Sequence, residues 1–164
     1  MNIRIHKFSP KSLDAELIAG QGTFNLLAIE LLFQSIAIST GGRAEYGIAF
    51  AEGSDGRMLR KAGNNKKLID SAAQLVREIH AGHYFAVLMQ GVYPIEVVNS
   101  IKNLPTTIRL DLATGNDVVW ILCDLDEERS AVLGASDGKG AHVFEDGDAA
   151  YARRKWVRDS GYAL

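Results

Sequence analysis

Two carboxylates set against glycines, a histidine at the start of an apolar run and a short polar tetrapeptide are the groups with which this chain can do chemistry. Glu52 stands just ahead of the turn Gly53-Ser54-Asp55-Gly56, and Asp137 precedes Gly138. A carboxylate at a strand end can orient a hydroxyl as a general base or hold a magnesium ion, so both are candidates for that work; the alternative for each is an ordinary turn or edge residue. His83 follows Gly82 at a strand mouth, a place where α/β sheets collect ligand groups. Its alternative is a ring that hydrogen-bonds within a helix–strand turn. Thr114-Gly115-Asn116-Asp117 also follows a strand, and its small polar groups can pair with a base or a sugar, or simply make a turn.

Several familiar chemistries are absent. Gly134-Ala135-Ser136-Asp137-Gly138-Lys139-Gly140 is short by one residue for a P-loop and has Gly140 where a hydroxyl should help hold magnesium. It reads as a tight Asp-Gly turn whose backbone N–H groups remain able to approach an anion. There is no dinucleotide-binding glycine fingerprint and no nucleophile elbow. His80 and His83 flank Ala81-Gly82, a helix break, without a carboxylate at ligand spacing, so no metal site is expected. Cys123, the single cysteine, lies in an apolar run and reads as a small buried hydrophobe.

The elements that must position these groups follow from periodicity. Ile3, Ile5 and Phe8 mark a first strand, Glu16 to Ala19 a short second one, and Thr23 is placed to cap the helix that follows. Phe24 to Ser39 is apolar on nearly every side, with Glu30 its one charge. Its roughly 16 residues are fewer than the about 20 of a membrane span, so it reads as a helix needing cover on more than one face, part of it from a second subunit. Tyr46, Ile48 and Phe50 alternate in a strand that pairs with Arg57 to Ala62 as a hairpin. Leu68, Ala72, Leu75, Val76 and Ile79 recur at three- and four-residue steps, predicting an amphipathic helix capped by Asn64 or Asn65. Tyr84 to Met89 is a strand apolar on both faces, Pro94 opens a helix that Pro105 ends, and strands follow around Ile108 to Leu112, Val118 to Leu125 and Ala131 to Leu133. A last helix runs from about Asp148 to Asp159. Strands that alternate with helices and also follow one another predict a three-layer α/β/α sandwich with a mixed sheet.

The whole chain bounds the function. Its 164 residues suit one domain, spanning 1–164, and no repeat or linker divides it. A net charge of −2 with both signs mixed gives no field for gathering nucleic acid or an anionic membrane, so neither is an expected partner. The alternating amino terminus lacks a signal-peptide core, which makes a reducing cytoplasm the expected compartment.

Taken in order, YGIAFAE (46–52), Gly63-Asn64, AGHYFAVLM (81–89), YPIEVVNSIKNLP (93–105), ATGND (113–117), LGASDG (133–138) and the terminal SGYAL resemble the family labelled adenosine-specific kinase, formerly a domain of unknown function. The resemblance runs from about Gly20 to Leu164 and is most specific from Tyr84 through Pro105. It implies a three-layer α/β fold, a homo-oligomer that is a trimer or a multiple of one, and a site for adenosine or AMP. It implies ATP and Mg2+ as co-reactants, with no cofactor required for folding. Carried over by motif, the implied catalytic residues are Asp137 and Glu52, and the implied ligand-binding positions are Gly82, His83, Tyr93, Asn99, Lys102, Asn103, Thr114, Asn116 and Gly138. In that scheme Lys102 meets a phosphate, Asn99 or Asn103 pairs with adenine or ribose, and Tyr93 stacks on the base. The chain departs from the family pattern at Ala51, where a cysteine is usual, at Asp117, where a proline is usual, in its apolar early helix, and in KGAHVFEDGD after Gly138. The expected function is therefore phosphoryl transfer from ATP to adenosine. The alternatives are a non-catalytic adenine-nucleotide-binding oligomer, acting as sensor or structural unit, and an oligomer without a small ligand.

Overall fold

The computed structural model describes every residue except Phe24, Asp55, Ala163 and Leu164, and describes the backbone alone at Asn25 and Leu26. Strand β1 (Asn2–Phe8), a 3-10 turn (Pro10–Leu13) and β2 (Glu16–Gly22) lead into α1 (Asn25–Thr40). The hairpin β3 (Glu45–Ala51) and β4 (Leu59–Gly63) is followed by α2 (Lys66–Ile79) and β5 (Tyr84–Gln90). A second 3-10 turn (Pro94–Glu96) and α3 (Val98–Lys102) replace the single helix expected after Pro94; β6 (Thr107–Thr114), β7 (Val118–Asp124), β8 (Ser130–Asp137) and α4 (Gly147–Asp159) complete the chain.

Five strands form one sheet in the order β4-β3-β5-β2-β6, and β1-β7-β8 form a second. The three layers are as expected, but the pairing is not mixed: every strand pair is antiparallel. The reason is that each helix crossover skips one strand. α1 links β2 to β3 with β5 between them, α2 links β4 to β5 with β3 between them, and α3 links β5 to β6 with β2 between them. The strands that a helix joins are therefore parallel to each other without being neighbours.

Alternation along the central strand divides the core. Tyr84, Ala86 and Leu88 face α2 and the inner face of the small sheet, where Trp120 and Leu122 lie. Phe85, Val87 and Met89 face α1 and α3. Both faces of β5 are thus buried, as a continuous apolar run requires. α2 buries Leu68, Ala72, Leu75, Val76 and Ile79, the same stripe its periodicity marks, and Asn65 caps it by accepting from Leu68 N at 3.2 Å. Asn64 instead locks the hairpin, accepting from Tyr46 N at 2.7 Å and donating to the Ala44 carbonyl at 2.9 Å. α2 can lie against β3 because Gly47 carries no side chain; a Cβ there would stand 2.1 Å from Ile69 N.

α1 buries Ala28, Ile29, Leu32 and Ile36 against the sheet but leaves Leu27 and Ile38 exposed. The cap expected from Thr23 would act across Phe24, which lies outside the described residues; Thr23 N itself donates to the Thr106 carbonyl at 2.8 Å. Among the described residues no helix is long and apolar enough to cross a membrane.

Candidate functional site

Backbone hydrogen bonds set a row of strand ends at one edge of the large sheet. His83 N donates to the Ala51 carbonyl at 2.9 Å, Gly22 N to the His83 carbonyl at 2.8 Å, and Thr23 N to the Thr106 carbonyl at 2.8 Å. His83 is held at φ +58, in the left-handed region a non-glycine residue rarely enters without a reason. Its ring lies 6.0 Å from that of Phe50, and a Cβ at Gly53 would come within 2.9 Å of it. Beside it Glu52 is buried. Its Oε1 accepts from Arg60 Nε at 2.6 Å and lies 2.5 Å from Arg60 Nη2, while Oε2 accepts from Met58 N at 3.3 Å. Gly82 is at the same mouth. Lys102 and Asn103 close α3 just ahead of Thr106, so they reach this end of the sheet from the α1 side.

The other candidates sit elsewhere. Thr114 pairs with Leu17 on β2, five residues from Gly22, which is about 17 Å along a strand. There Asp137 Oδ1 accepts from the Thr114 hydroxyl at 2.7 Å and from Asn116 Nδ2 at 3.1 Å, and Thr114 Oγ1 accepts from Asn116 N at 2.9 Å. Gly138, at φ +63, packs on the Asn116 side chain. These bonds tie the β6–β7 turn to the end of β8. Tyr93 belongs to this end too, since it shares a cavity of about 550 Å³ with Glu16 and Gly115, and its ring meets those of Trp156 and Tyr162 edge-on. Burial raises the Glu16 carboxyl above its ordinary pKa. Asn99 is exposed on α3, between the two ends.

Glu52 and Asp137, expected in one catalytic role, therefore do not share a site, and the ligand set divides between opposite ends of a sheet. The physical reason is strand direction: β3 and β5 bring their Glu52 and His83 ends together, while the end of β6 points the other way.

Next to Glu52 and Gly82, between the ends of the two sheets, opens a cleft of about 1080 Å³ whose lining includes Gln21, Arg57, Arg77, His80, Tyr84, Arg109 and Arg129. Of these, His80 was weighed only as a metal partner of His83 and Tyr84 lies within a quoted motif, while Gln21 and the four arginines were not singled out. The one available signal was that α2 ends at Ile79 and β5 begins at Tyr84, so their neighbours had to line that edge. Tyr84 OH accepts from Trp120 Nε1 at 2.9 Å, and burial holds the phenol ionisation well above its usual value.

A family model described as adenosine specific kinase matches residues 8–163. This chain belongs to that family. No curated protein matches the chain. The crystal structure of the PH1918 protein from Pyrococcus horikoshii OT3 superposes with a TM-score of 0.85 at 32% identity, covering 99% of each chain. The fold is thus shared with that protein over essentially the full length. The family description suggests adenosine as substrate, with ATP and Mg2+ as co-reactants.

Among the described residues no three ligand side chains gather around a metal position. The Glu52 carboxylate is already committed to Arg60 and Met58 N. Magnesium commonly binds one or two carboxylates plus substrate phosphates, so a cation at this end would be held mainly by the phosphates it arrives with.

Proposed function

We propose that this chain binds adenosine or AMP at the sheet end formed by Glu52, Gly82 and His83, and transfers a phosphoryl group from Mg-ATP to the 5′ hydroxyl of adenosine. The observation that carries this reading is His83. It is pinned in a left-handed conformation between two strands, beside the buried Glu52 carboxylate that pairs with Arg60, and its chain neighbours Gly82 and Tyr84 line the cleft. A residue held in so sparse a region needs a structure around it that enforces the geometry. The imidazole supplies a group able to take the hydroxyl proton as the hydroxyl oxygen attacks the γ-phosphorus. Glu52 and Arg60 present a fixed dipole to the ribose side, and Lys102 and Asn103 lie toward the same end for phosphate and base. Asp137, Thr114, Asn116 and Gly138 belong in this scheme to a latch that holds the β6–β7 turn.

Incubating the pure protein with adenosine and Mg-ATP, with chromatographic separation of nucleotides, tests it; AMP and ADP are expected in equal amounts. Adenosine-dependent thermal stabilisation without product at high protein concentration would sink the transferase and leave the non-catalytic binder. That second reading is favoured by the separation of the two candidate carboxylates.

We also infer that the chain works as a homo-oligomer, a trimer or multiple of one, in a reducing cytoplasm. The exposed Leu27 and Ile38 on an otherwise apolar α1 support a second copy as cover, and the lone Cys123 is buried and free.

A further inference from the structure

The 1080 Å³ cleft has a wall built for anions that the nucleoside end does not use. Arg109 on β6 is its fixed part. A bulge opposite Ala19 and Gly20 inserts Asp111 as an extra residue in β6, so that Ala19 pairs with Leu112 and Gly20 with Leu110. Bulges re-aim side chains. Strand alternation already sets Asp111 on the Arg109 side, the bulge lets Leu112 follow it into the same half of the core, and Asp111 Oδ1 lies 3.0 Å from Arg109 Nε in an ion pair. The Tyr84 hydroxyl accepts from Trp120 Nε1 at 2.9 Å, and after burial the Asp111 charge is the next cause that raises its pKa; Asp111 Oδ2 itself is buried without a hydrogen-bond partner among the described residues. The Asp111 side chain is 14% exposed against 47% for Arg109. The carboxylate is the buried anchor and the guanidinium the outward tip.

Arg77 lines the same cleft from the last turn of α2 and has no carboxylate within ion-pair distance among the described residues. Helix carboxyl ends repel anions. Here the repelling carbonyls are taken up: Ile79 O accepts from Arg4 Nη2 at 3.1 Å and His80 O from Ser130 N at 2.8 Å. Arg57 and Arg129 face the cleft from two loops, paired with Glu128 at 3.0 Å and Asp126 at 2.8 Å. Those pairs are exposed, and such pairs hold their partners weakly, so a polyanion can take the guanidiniums over. The third lining carboxylate, Glu52, is matched by Arg60.

We propose that this cleft binds an oligophosphate chain, anchored on Arg77 and Arg109, with Asp111 as the residue that positions Arg109. Its biological use rests on the phosphoryl-transfer reading above, in which the chain is that of ATP; the binding itself rests on the cleft alone. Guanidinium groups suit this ligand because each can give two parallel hydrogen bonds to phosphate oxygens.

The test is calorimetric titration of inorganic triphosphate into the full chain, with adenosine-dependent thermal stabilisation read on the same preparations. Saturable binding is expected, weakened on the order of tenfold by Arg77→Ala and again by Arg109→Ala, with adenosine stabilisation retained in both. Arg109→Lys keeps the charge but loses the fork, and is expected to bind less well than the parent. Asp111→Asn is expected to weaken triphosphate binding, and to do so no further once Arg109 is alanine. Absence of saturable binding, or a double Arg77→Ala/Arg109→Ala variant that binds as the parent does, would overturn the proposal. Equal losses from Asp111→Asn with and without Arg109 would remove its positioning role. Triphosphate binding without any adenosine stabilisation would support the anion site while sinking the nucleoside reading.

Discussion

Glu52 and Arg60 show how a residue's partner decides its work. Leaving a buried carboxylate without its guanidinium is expensive, so Arg60→Ala is expected to lower stability by about 3 kcal/mol, read as a fall in denaturation midpoint. Asp137→Asn changes one exposed acceptor in a latch and is expected to cost about 1 kcal/mol while leaving nucleotide turnover within a few-fold; a collapse of turnover would return Asp137 to the catalytic set. Glu16 titrates differently. Its carboxyl is pushed up by burial, so folding favours the protonated form. The contribution to stability is full below the ordinary carboxylate range and is lost as pH rises through the elevated folded value. Glu16→Gln is therefore expected to raise the melting temperature at neutral pH, with the gain vanishing in acid; an equal gain at both pH values would exclude burial as the cause.

At the scale of elements, periodicity located most of the secondary structure, because a stripe at three- and four-residue steps needs only one buried face. α2 buries the five residues its pattern marked. Its fit depends on a backbone contact that no pattern reveals, and Gly47→Ala, forcing a Cβ to within 2.1 Å of Ile69 N, is expected to destabilise by about 2 kcal/mol or more in denaturant titration. The 3-10 turn ahead of α3 was not legible, since proline at a first helical position suits both helix types. α1 has no polar face to say which side meets the sheet. Ile38→Asp places a charge on its exposed side, and light scattering is expected to show smaller assemblies with the melting transition of the folded chain preserved.

For the whole molecule, the sequence by itself determined the element types, the family and the apolar faces, because local periodicity and short motifs are carried by contiguous residues. It marked Glu52, Gly82 and His83 as candidates alongside Asp137 and Thr114, without saying which of them meet. Tertiary structure decided which of those motifs meet. Three helix crossovers each skip a strand, so strands that read as parallel neighbours are separated by an antiparallel one. That interleaving puts Glu52 and His83 at one end of the sheet and Thr114 and Asp137 at the other. It also brings Arg77 from a helix and Arg109 from a strand, far apart in the chain, to the lining of one cleft. Register and crossover depend on the packing of distant faces, and no window of sequence contains that information.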